Sequence, residues 1–102
     1  MVRGSTGTMS KQTYRVVLHR EVVREIKALP KKLRGKVVGI IDSLANNPTP
    51  QAAQRLRGRK SAFRIRLGDY RILYEVHATE IVVYVVGVGH RKEVYRRLLK
   101  RR

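Results

Sequence analysis

The spacing of apolar residues changes partway along the chain, and this change constrains the fold more than any other feature of the sequence. Residues 20–44 carry apolar side chains at the three- and four-residue intervals of an α-helix, whereas residues 62–86 show the two-residue period of strands or an unbroken apolar run. A helix with one apolar stripe must bury it, and a sheet with an apolar face offers the matching surface. The pattern therefore predicts a domain that contains both element types.

A strand and two helices are predicted in the first half of the chain. Tyr14–Leu18 is rich in β-branched and aromatic side chains, which favours a strand. Two apolar stripes at helical spacing follow, one before Pro30 and one after it, and together they predict a helical hairpin. The stripes consist of Val22, Val23, Ile26 and Leu29, and of Leu33, Val37, Ile40 and Leu44. Gly35 and Gly39 lie inside the second helix, where we expect them to allow close packing on the neighbouring helix.

The second half of the chain predicts a meander of strands. Phe63–Leu67 alternates apolar and basic side chains, which indicates a strand with one buried face. Gly68 and Asp69 form a turn signal, and Tyr70–Val76 is predicted to be the return strand. The run Ile81–Val86 is apolar throughout, which is typical of a central strand that is covered on both faces or nearly so.

The sheet is expected to end at Gly87 and Gly89, and a short amphipathic helix is expected to follow. The apolar positions of that helix are Val94, Leu98 and Leu99. The predicted fold is therefore α+β, with the order β-α-α-β-β-β-α and a helical hairpin on one face of a mainly antiparallel sheet of about four strands. We expect the other face, which carries the arginines, to be uncovered.

One domain is predicted over residues 11–102, because a chain of 102 residues buries enough surface for one layered core. Residues 1–10 have the Gly, Ser and Thr content of a flexible leader and lack the apolar core of a signal peptide. The longest apolar run, Ile81–Val88, is less than half of the ~20 residues that a membrane helix needs, so no membrane span is predicted.

The chain is strongly basic, with 24 Lys and Arg residues against 7 Asp and Glu residues and a formal net charge of +17. Such a charge indicates a polyanionic partner, and most of it comes from arginine, whose planar guanidinium suits bidentate contacts with phosphate. Cysteine is absent, which excludes disulfides and thiolate chemistry. The sequence also lacks a P-loop, a Ser/His/Asp pattern and metal-ligand spacing. Metal-free phosphodiester chemistry stays open, because RNA carries its own nucleophile in the 2′-OH.

Basic residues are densest between Arg55 and Arg71, where the sequence has a single acid, Asp69. The cluster consists of Arg55, Arg57, Arg59, Lys60, Arg64, Arg66 and Arg71. Strand alternation places Arg64, Arg66 and Arg71 on the same face of the sheet, opposite the core, where one anion would reach all three. The alternative is a solvated basic face without a ligand.

His90, Arg91 and Tyr95 directly follow the last predicted strand, at a sheet end where loops often carry functional groups. Arg91 and Tyr95 are four residues apart, so they share a face if the last helix begins at Arg91. The alternative for Tyr95 is a packing residue of that helix. The alternative for His90 is a surface-loop residue without a catalytic role.

Four stretches of the sequence resemble the RelE/ParE toxin superfamily. They are LRG at 56–58, FRIRL at 63–67, GDYRILYEV at 68–76 and VGHRKEVY at 88–95. The resemblance extends over nearly all of residues 14–97 and implies the RelE-like two-layer sandwich. RelE-like toxins are ribosome-dependent mRNA endonucleases that cut the codon in the A site by attack of the 2′-OH. ParE-like members share the fold but inhibit DNA gyrase.

The resemblance also implies roles for individual residues. Arg64 and Arg66 match the two basic strand residues of the family, Arg71 its transition-state arginine, Arg91 its strand-end arginine and Tyr95 its C-terminal tyrosine. These five matches favour a RelE-like mRNA interferase, with a gyrase inhibitor as the second hypothesis and a plain nucleic-acid-binding module as the third.

Arg64 and Arg66 stand where well-understood relatives carry lysine. Because arginine does not deprotonate in proteins, we expect Arg66 to bind phosphate and activate the 2′-OH electrostatically instead of acting as a base. Tyr95 is then the candidate base, provided that the arginines stabilise its anion, or it stacks on a nucleotide base. Arg91 is expected to stabilise charge on the leaving oxygen, and His90 is a candidate proton donor.

The partners that the resemblance implies are the ribosome with its mRNA and an acidic, partly disordered antitoxin. A cytoplasmic location, no cofactor and no metal are expected with them. The rest of the basic surface is expected to dock onto ribosomal RNA. It comprises Lys31, Lys32, Lys36, Arg96, Arg97, Arg101 and Arg102.

Overall fold

Three helices and five strands make up residues 13–100, the part of the chain that the structure, a computed structural model, describes. In chain order they are β1 (Arg15–Leu18), α1 (Arg20–Lys27), α2 (Lys31–Ser43), β2 (Ala53–Arg55), β3 (Ala62–Leu67), β4 (Tyr70–His77), β5 (Val82–His90) and α3 (Arg91–Lys100). The predicted leader, residues 1–10, lies outside the described residues. Within them, none of the helices has the length and apolar content that crossing a bilayer requires.

The strands form one mixed sheet in the order β1-β5-β4-β3-β2. β1 pairs with β5 in parallel, and the other neighbouring strands are antiparallel. The predicted α+β class and the order of its elements are confirmed, with one strand more than expected. The additional strand, β2, is an edge strand of three residues whose sequence, Ala-Gln-Arg, carries no strand pattern. Its conformation depends on pairing with β3.

The helical hairpin of α1 and α2 covers one face of the sheet, as its apolar stripes predict. The buried core between the two layers consists of Val22, Leu29, Val37, Ile41, Leu44, Phe63, Ile65, Ile72, Tyr74, Val83, Val85 and Val88. Tyr74 is fully buried and stacks on Phe63, with 5.7 Å between the ring centroids. Its hydroxyl donates a hydrogen bond to Pro48 O at 2.8 Å, which anchors the connection between α2 and β2 to the sheet.

The two glycines of α2 do not serve close packing, so that expectation is wrong. Gly35 and Gly39 are exposed, and a Cβ built on either residue would have no heavy atom within 4 Å. Both lie on the side of the helix opposite Val37 and Ile41, the residues that α2 buries. The predicted stripe of α1 also differs at one position, because Val23 is 45% exposed.

β5 is longer than expected and lies at the centre of the sheet. It does not end at Gly87 and Gly89, because these residues pair with Leu73 and Arg71 of β4. The strand continues to His90, and α3 begins at the next residue without a loop. Glycine weakens isolated strands, but here the pairing with β4 holds the backbone, and the missing side chain of Gly89 leaves room for α3.

The second face of the sheet is partly covered by α3, which packs on it through a smaller core. The buried members of this core are Leu73, Val86 and Val94, and Tyr84, Tyr95 and Leu98 are partly buried around them. β5 is therefore covered on both faces, as its apolar sequence predicts, whereas the expectation of an uncovered second face is wrong for β4 and β5. Leu99 is not part of this core and is 78% exposed.

Replacing Gly39 by alanine is expected to stabilise the protein. The site is helical and open, so the added methyl meets nothing, while the unfolded chain loses conformational freedom; we expect a gain of roughly 0.5–1 kcal/mol. Thermal unfolding followed by circular dichroism measures this gain as a higher Tm. Gly68→Ala is the matched control, because Gly68 has a φ of 61° and alanine there should lower the Tm. An unchanged or lower Tm for Gly39→Ala would contradict the open geometry.

Alkaline pH is expected to destabilise the protein through Tyr74, because burial raises the pKa of its hydroxyl to about 12. Below pH ~10 the hydroxyl is protonated in both the folded and the unfolded chain, and the shift has no effect. Between pH ~10 and ~12 the unfolded chain releases the proton first, so the free energy of unfolding falls, by about 2 kcal/mol at pH ~11.5.

Urea unfolding of the wild type and of Tyr74→Phe measures this effect. The variant lacks the bond to Pro48 O and should be less stable by about 1 kcal/mol near neutral pH. At pH ~11.5 that difference should vanish or change sign, because phenylalanine has no proton to lose. A difference that stays constant with pH would refute the buried, protonated hydroxyl.

Candidate nucleic-acid interface

Three arginines meet on the second face of the sheet. Arg66 of β3 lies directly opposite Arg71 of β4, and Arg64 lies opposite Leu73. Because opposed residues share a face, the predicted placement of Arg64, Arg66 and Arg71, here called the arginine trio, on one face of the sheet is confirmed. Like charges at this spacing repel one another, and an anion bound between them would relieve the repulsion.

Arg71 is the buried member of the arginine trio. Only 7% of its surface is exposed, and its Nη1 donates hydrogen bonds to Gly68 O at 2.9 Å and to Tyr70 O at 3.0 Å. Its Nε is buried and has no hydrogen-bond partner among residues 13–100. The guanidinium thus holds the turn between β3 and β4 while it keeps a donor for a further acceptor.

Tyr95 of α3 meets the arginine trio at Arg64. Arg64 Nη1 donates a hydrogen bond to the Tyr95 hydroxyl oxygen at 3.4 Å, and Arg64 Nη2 donates one to Gln54 Oε1 at 2.6 Å. Gln54 belongs to β2, the strand without a sequence signal, so sequence reasoning misses it. Held at both ends, the guanidinium of Arg64 is oriented toward the phenol.

Arg91 begins α3 beside the turn that Arg71 holds. Its backbone N–H donates a hydrogen bond to Asp69 O at 2.8 Å, which ties the start of the helix to this turn. Since α3 contains both Arg91 and Tyr95, the two residues share a helix face as expected, and the Arg91 side chain is exposed. The second face therefore presents Arg91 near the turn and Tyr95 further along the same helix.

His90 is a candidate that the structure does not bring to the arginine trio. It pairs with Tyr70, and the two rings meet edge to face at 5.8 Å between centroids. The preceding residue, Gly89, pairs with Arg71, so His90 points to the opposite face of the sheet. Its Nδ1 accepts a hydrogen bond from Lys92 N at 3.4 Å. The ring lies at a strand end and not in the predicted loop.

The basic residues before β3 are exposed, and two of them border Tyr95. They are Arg55, Arg57, Arg59 and Lys60. Arg57 and Arg59 line a groove of about 280 Å³ next to Tyr95, and its apolar lining is Leu56, Leu98 and Leu99. Arg55 instead lies over the ring of Phe63, 5.6 Å from its centroid. Guanidinium groups beside an aromatic ring are the components with which proteins bind single-stranded nucleic acid.

Arg97 departs from its expected role in docking onto RNA. Its Nη1 forms an ion pair with Glu25 Oε2 at 3.2 Å, so it is not a free cation. Glu25 lies buried on α1 between Val22 and Leu29, within the apolar stripe of that helix. A carboxylate on an apolar stripe is a sequence signal for a buried charge that needs a cation, but it does not indicate which residue supplies that cation. Arg101 and Arg102 lie outside the described residues.

The chemistry of this surface rests on guanidinium groups and one phenol. Guanidinium groups bind and neutralise phosphate, and a phenol can transfer a proton or stack on a base. Within residues 13–100, no three His, Asp or Glu side chains form a group that could hold a metal ion. The surface is therefore suited to binding a phosphodiester and to proton transfer beside it.

Residues 16–95 match the family model of the ParE toxin of type II toxin-antitoxin systems, parDE. The chain belongs to this toxin family. The predicted membership of the RelE/ParE toxin superfamily is thereby confirmed. Among curated relatives, the toxin is similar to the mRNA interferase toxin RelE of Escherichia coli K12, with 35% identity over 74 residues that cover 69% of this chain and 73% of the relative.

Solved structures of RelE proteins have the same fold as this toxin. The archaeal RelE in its RelE–RelB complex from Pyrococcus horikoshii has 32% sequence identity and a TM-score of 0.69, and the match covers 78% of this chain and 97% of that one. A double mutant of Escherichia coli RelE in the free state has 26% identity and a TM-score of 0.73, with coverage of 87% and 97%. The predicted two-layer RelE-like sandwich is confirmed by these structures.

Substitution of Arg71 is expected to destabilise the toxin, unlike the same substitution at its cross-strand neighbour. Arg71→Met removes two hydrogen bonds to backbone carbonyls and should lower the free energy of unfolding by about 1–3 kcal/mol. Arg66→Met is the matched control, since Arg66 is exposed and its loss relieves repulsion. Urea unfolding of both variants measures the difference. Equal free energies of unfolding for the two variants would show that water replaces the hydrogen bonds of Arg71 at the turn without loss of stability.

Proposed function

We propose that this toxin is an endoribonuclease that cuts mRNA on the ribosome and thereby inhibits translation. The observation that carries the proposal is the placement of the arginine trio on the second face of the sheet, with the Tyr95 hydroxyl 3.4 Å from Arg64 Nη1. The relative from Escherichia coli that is named an mRNA interferase supports the same activity. Phosphate binding and proton transfer are then combined in one place.

The proposed reaction uses the nucleophile that RNA already contains. The 2′-oxygen attacks the adjacent phosphorus and loses its proton, the bond from phosphorus to the 5′-oxygen breaks, and the 5′-oxygen gains a proton. The products are a cyclic phosphate and a 5′-hydroxyl. The protein must align the attack, neutralise the phosphate and transfer the protons.

The residues divide these tasks according to their positions. Arg66 and Arg91 are exposed and are proposed to neutralise the scissile phosphate and the leaving oxygen. Arg71 is proposed to join them by exchanging a turn carbonyl for the phosphate at its Nη1. Tyr95 is proposed to exchange a proton with the RNA or to stack on a base, beside Arg64. Guanidinium groups supply the positive charge, and we propose a metal-independent reaction without a cofactor.

The remaining binding residues are proposed to hold the RNA strand next to the cut. Arg57 and Arg59 lie across the groove from α3, and their charges favour a neighbouring phosphate. Lys60 extends this basic surface. Arg55, which pairs with Phe63, and His90 lie on the hairpin face of the sheet and are proposed only as peripheral contacts. The basic residues Lys31, Lys32, Lys36 and Arg96 are proposed to dock onto ribosomal RNA.

A cognate antitoxin is the proposed protein partner, and the cytoplasm the proposed location. RelE proteins that resemble this chain form complexes with RelB, including those from Pyrococcus horikoshii and Escherichia coli. A net charge of +17 favours an acidic partner, whose negative charges would neutralise the arginine trio and the basic residues around it.

The second candidate function is inhibition of DNA gyrase without RNA cleavage. The observation that favours it is the match of residues 16–95 to the ParE family model. A gyrase inhibitor needs a docking surface but no acid or base, so Tyr95 would then be a packing residue of α3.

Mapping the 5′ ends of an mRNA in a reconstituted translation system tests the proposal. With the wild-type toxin we expect cuts in codon phase only when ribosomes are present. For a metal-independent reaction we expect the same cuts after a chelator is added, with the magnesium concentration kept at a level that still supports translation. Cuts in naked RNA would remove the ribosome from the mechanism. Intact mRNA together with inhibited supercoiling would select the gyrase function instead.

Arg91→Ala is expected to reduce cleavage by about 100-fold or more, because it removes positive charge from the leaving oxygen. Lys92→Ala is the matched control: it removes one positive charge from the adjacent exposed residue of α3, and cleavage should change by less than about threefold. The rate is measured as single-turnover cleavage on programmed ribosomes. Equal effects of the two substitutions would reduce the role of Arg91 to non-specific attraction.

A further inference from the structure

A single buried carboxylate joins three elements of the fold. Glu25 of α1 accepts a hydrogen bond from the backbone N–H of Val88 in β5 through Oε1, at 3.0 Å. Its Oε2 is 3.2 Å from Arg97 Nη1 on α3. Glu25, a residue that is only 7% exposed, thus connects the helical hairpin, β5 and α3 through its side chain.

The position of Glu25 follows from the unequal lengths of β1 and β5. β1 ends at Leu18, opposite Val85, while β5 continues to His90. Beyond Val85, no strand formed by residues 13–100 lies beside β5 on that side, and the N–H of Val88 needs another acceptor. Glu25 supplies it, and its second oxygen is left to bind a cation.

Gly89 provides the path by which Arg97 reaches this carboxylate. A Cβ built on Gly89 would lie 3.5 Å from Arg97 Cζ and still closer to its Nη2. The backbone of Gly89 is not in the left-handed region, so its conformation would accept other residues. A side chain at this position would instead enter the space that the guanidinium occupies and displace it.

The ion pair lies on the opposite flank of α3 from the phenol of Tyr95. Val94 is fully buried under the helix, and successive residues of a helix are about 100° apart, so Tyr95 falls on one side of Val94 and Arg97 on the other. Tyr95 contacts Arg64 on the β3 side, whereas Arg97 contacts Glu25 beyond β5. If α3 rotated about its axis, the contact between Arg97 and Glu25 would break and Tyr95 would move relative to Arg64.

We propose that Glu25, Gly89 and Arg97 form a positioning clamp, which fixes the rotation of α3 and thereby places Tyr95 against the arginine trio. Arg97 acts on the reaction through Tyr95 and does not contact RNA. The kinetic test of this inference rests on the proposed endoribonuclease function, whereas its structural test, by NMR, does not.

Three substitutions test the clamp, with Lys100→Met as the matched control for charge on α3. Glu25→Gln keeps an acceptor for Val88 N and breaks the ion pair. Arg97→Met also breaks the ion pair but keeps the length of the aliphatic side chain. Gly89→Ala displaces the guanidinium of Arg97 without changing any charge. We expect each to lower the saturating single-turnover rate by about 10- to 100-fold, with little change in the toxin concentration that gives half-saturation. Lys100→Met should leave the rate unchanged.

The combination of Gly89→Ala with Arg97→Met separates the clamp from simple crowding. The added methyl acts by displacing Arg97, so it should have no further effect once Arg97 is methionine. A role of Arg97 in docking onto RNA predicts the opposite result: Arg97→Met would raise the half-saturating concentration in a salt-dependent way, and Glu25→Gln, which is buried, would change neither quantity. That result would overturn the clamp.

An NMR experiment on the free toxin tests the clamp independently of cleavage. With ¹³C-labelled tyrosine, the ring signals of Tyr95 should shift in Glu25→Gln, Arg97→Met and Gly89→Ala, while those of Tyr74 in the main core stay in place. Unshifted Tyr95 signals would refute the clamp whether or not the toxin cuts RNA. Shifted signals in a protein that cuts no RNA would keep the clamp and refute the endoribonuclease function.

Discussion

The burial of β5 on both faces is the constraint on which the rest of the structure depends. Val83, Val85 and Val88 pack in the main core under the helical hairpin, and Val86 packs in the smaller core with Val94 of α3. Because protein cores are close-packed, a shift of this strand would open both cores at once. Each helix is therefore held at a defined position over the sheet, and the side chains that α3 carries have a defined position relative to the arginines of β3 and β4.

The same packing decides where positive charge can accumulate. α3 occupies the second face above β4 and β5, so on the β3 side of this helix the exposed basic side chains of that face lie on β3 and the loop that precedes it. Arg71 is a basic residue of β4 on the same face, but it is buried. It is accommodated there because two turn carbonyls accept hydrogen bonds from its guanidinium. With a net charge of +17, the folded chain repels itself, and any polyanion or acidic protein that binds the native state stabilises it.

Short-range patterns were sufficient to predict most of the fold and the centre of the site. The convergence of the arginine trio follows from strand alternation and a two-residue turn, which together determine the register. The face shared by Arg91 and Tyr95 follows from helical periodicity once the helix start is known. Local patterns failed where pairing overrides them, as in β2, and at Gly39, whose environment depends on which side of α2 faces the sheet.

The sequence by itself determined the types of all the elements except β2, the face on which Arg64, Arg66 and Arg71 lie and the family of the toxin, because each of these depends on residues that are neighbours along the chain. Only the tertiary structure decided that His90 points away from the arginine trio, that Arg71 is buried at the turn and that Arg97 is paired with Glu25. These contacts depend on the length of β5 beyond β1 and on the packing of α3 over Gly89. Both are relations between segments that are far apart in sequence, and periodicity along the chain carries no information about them.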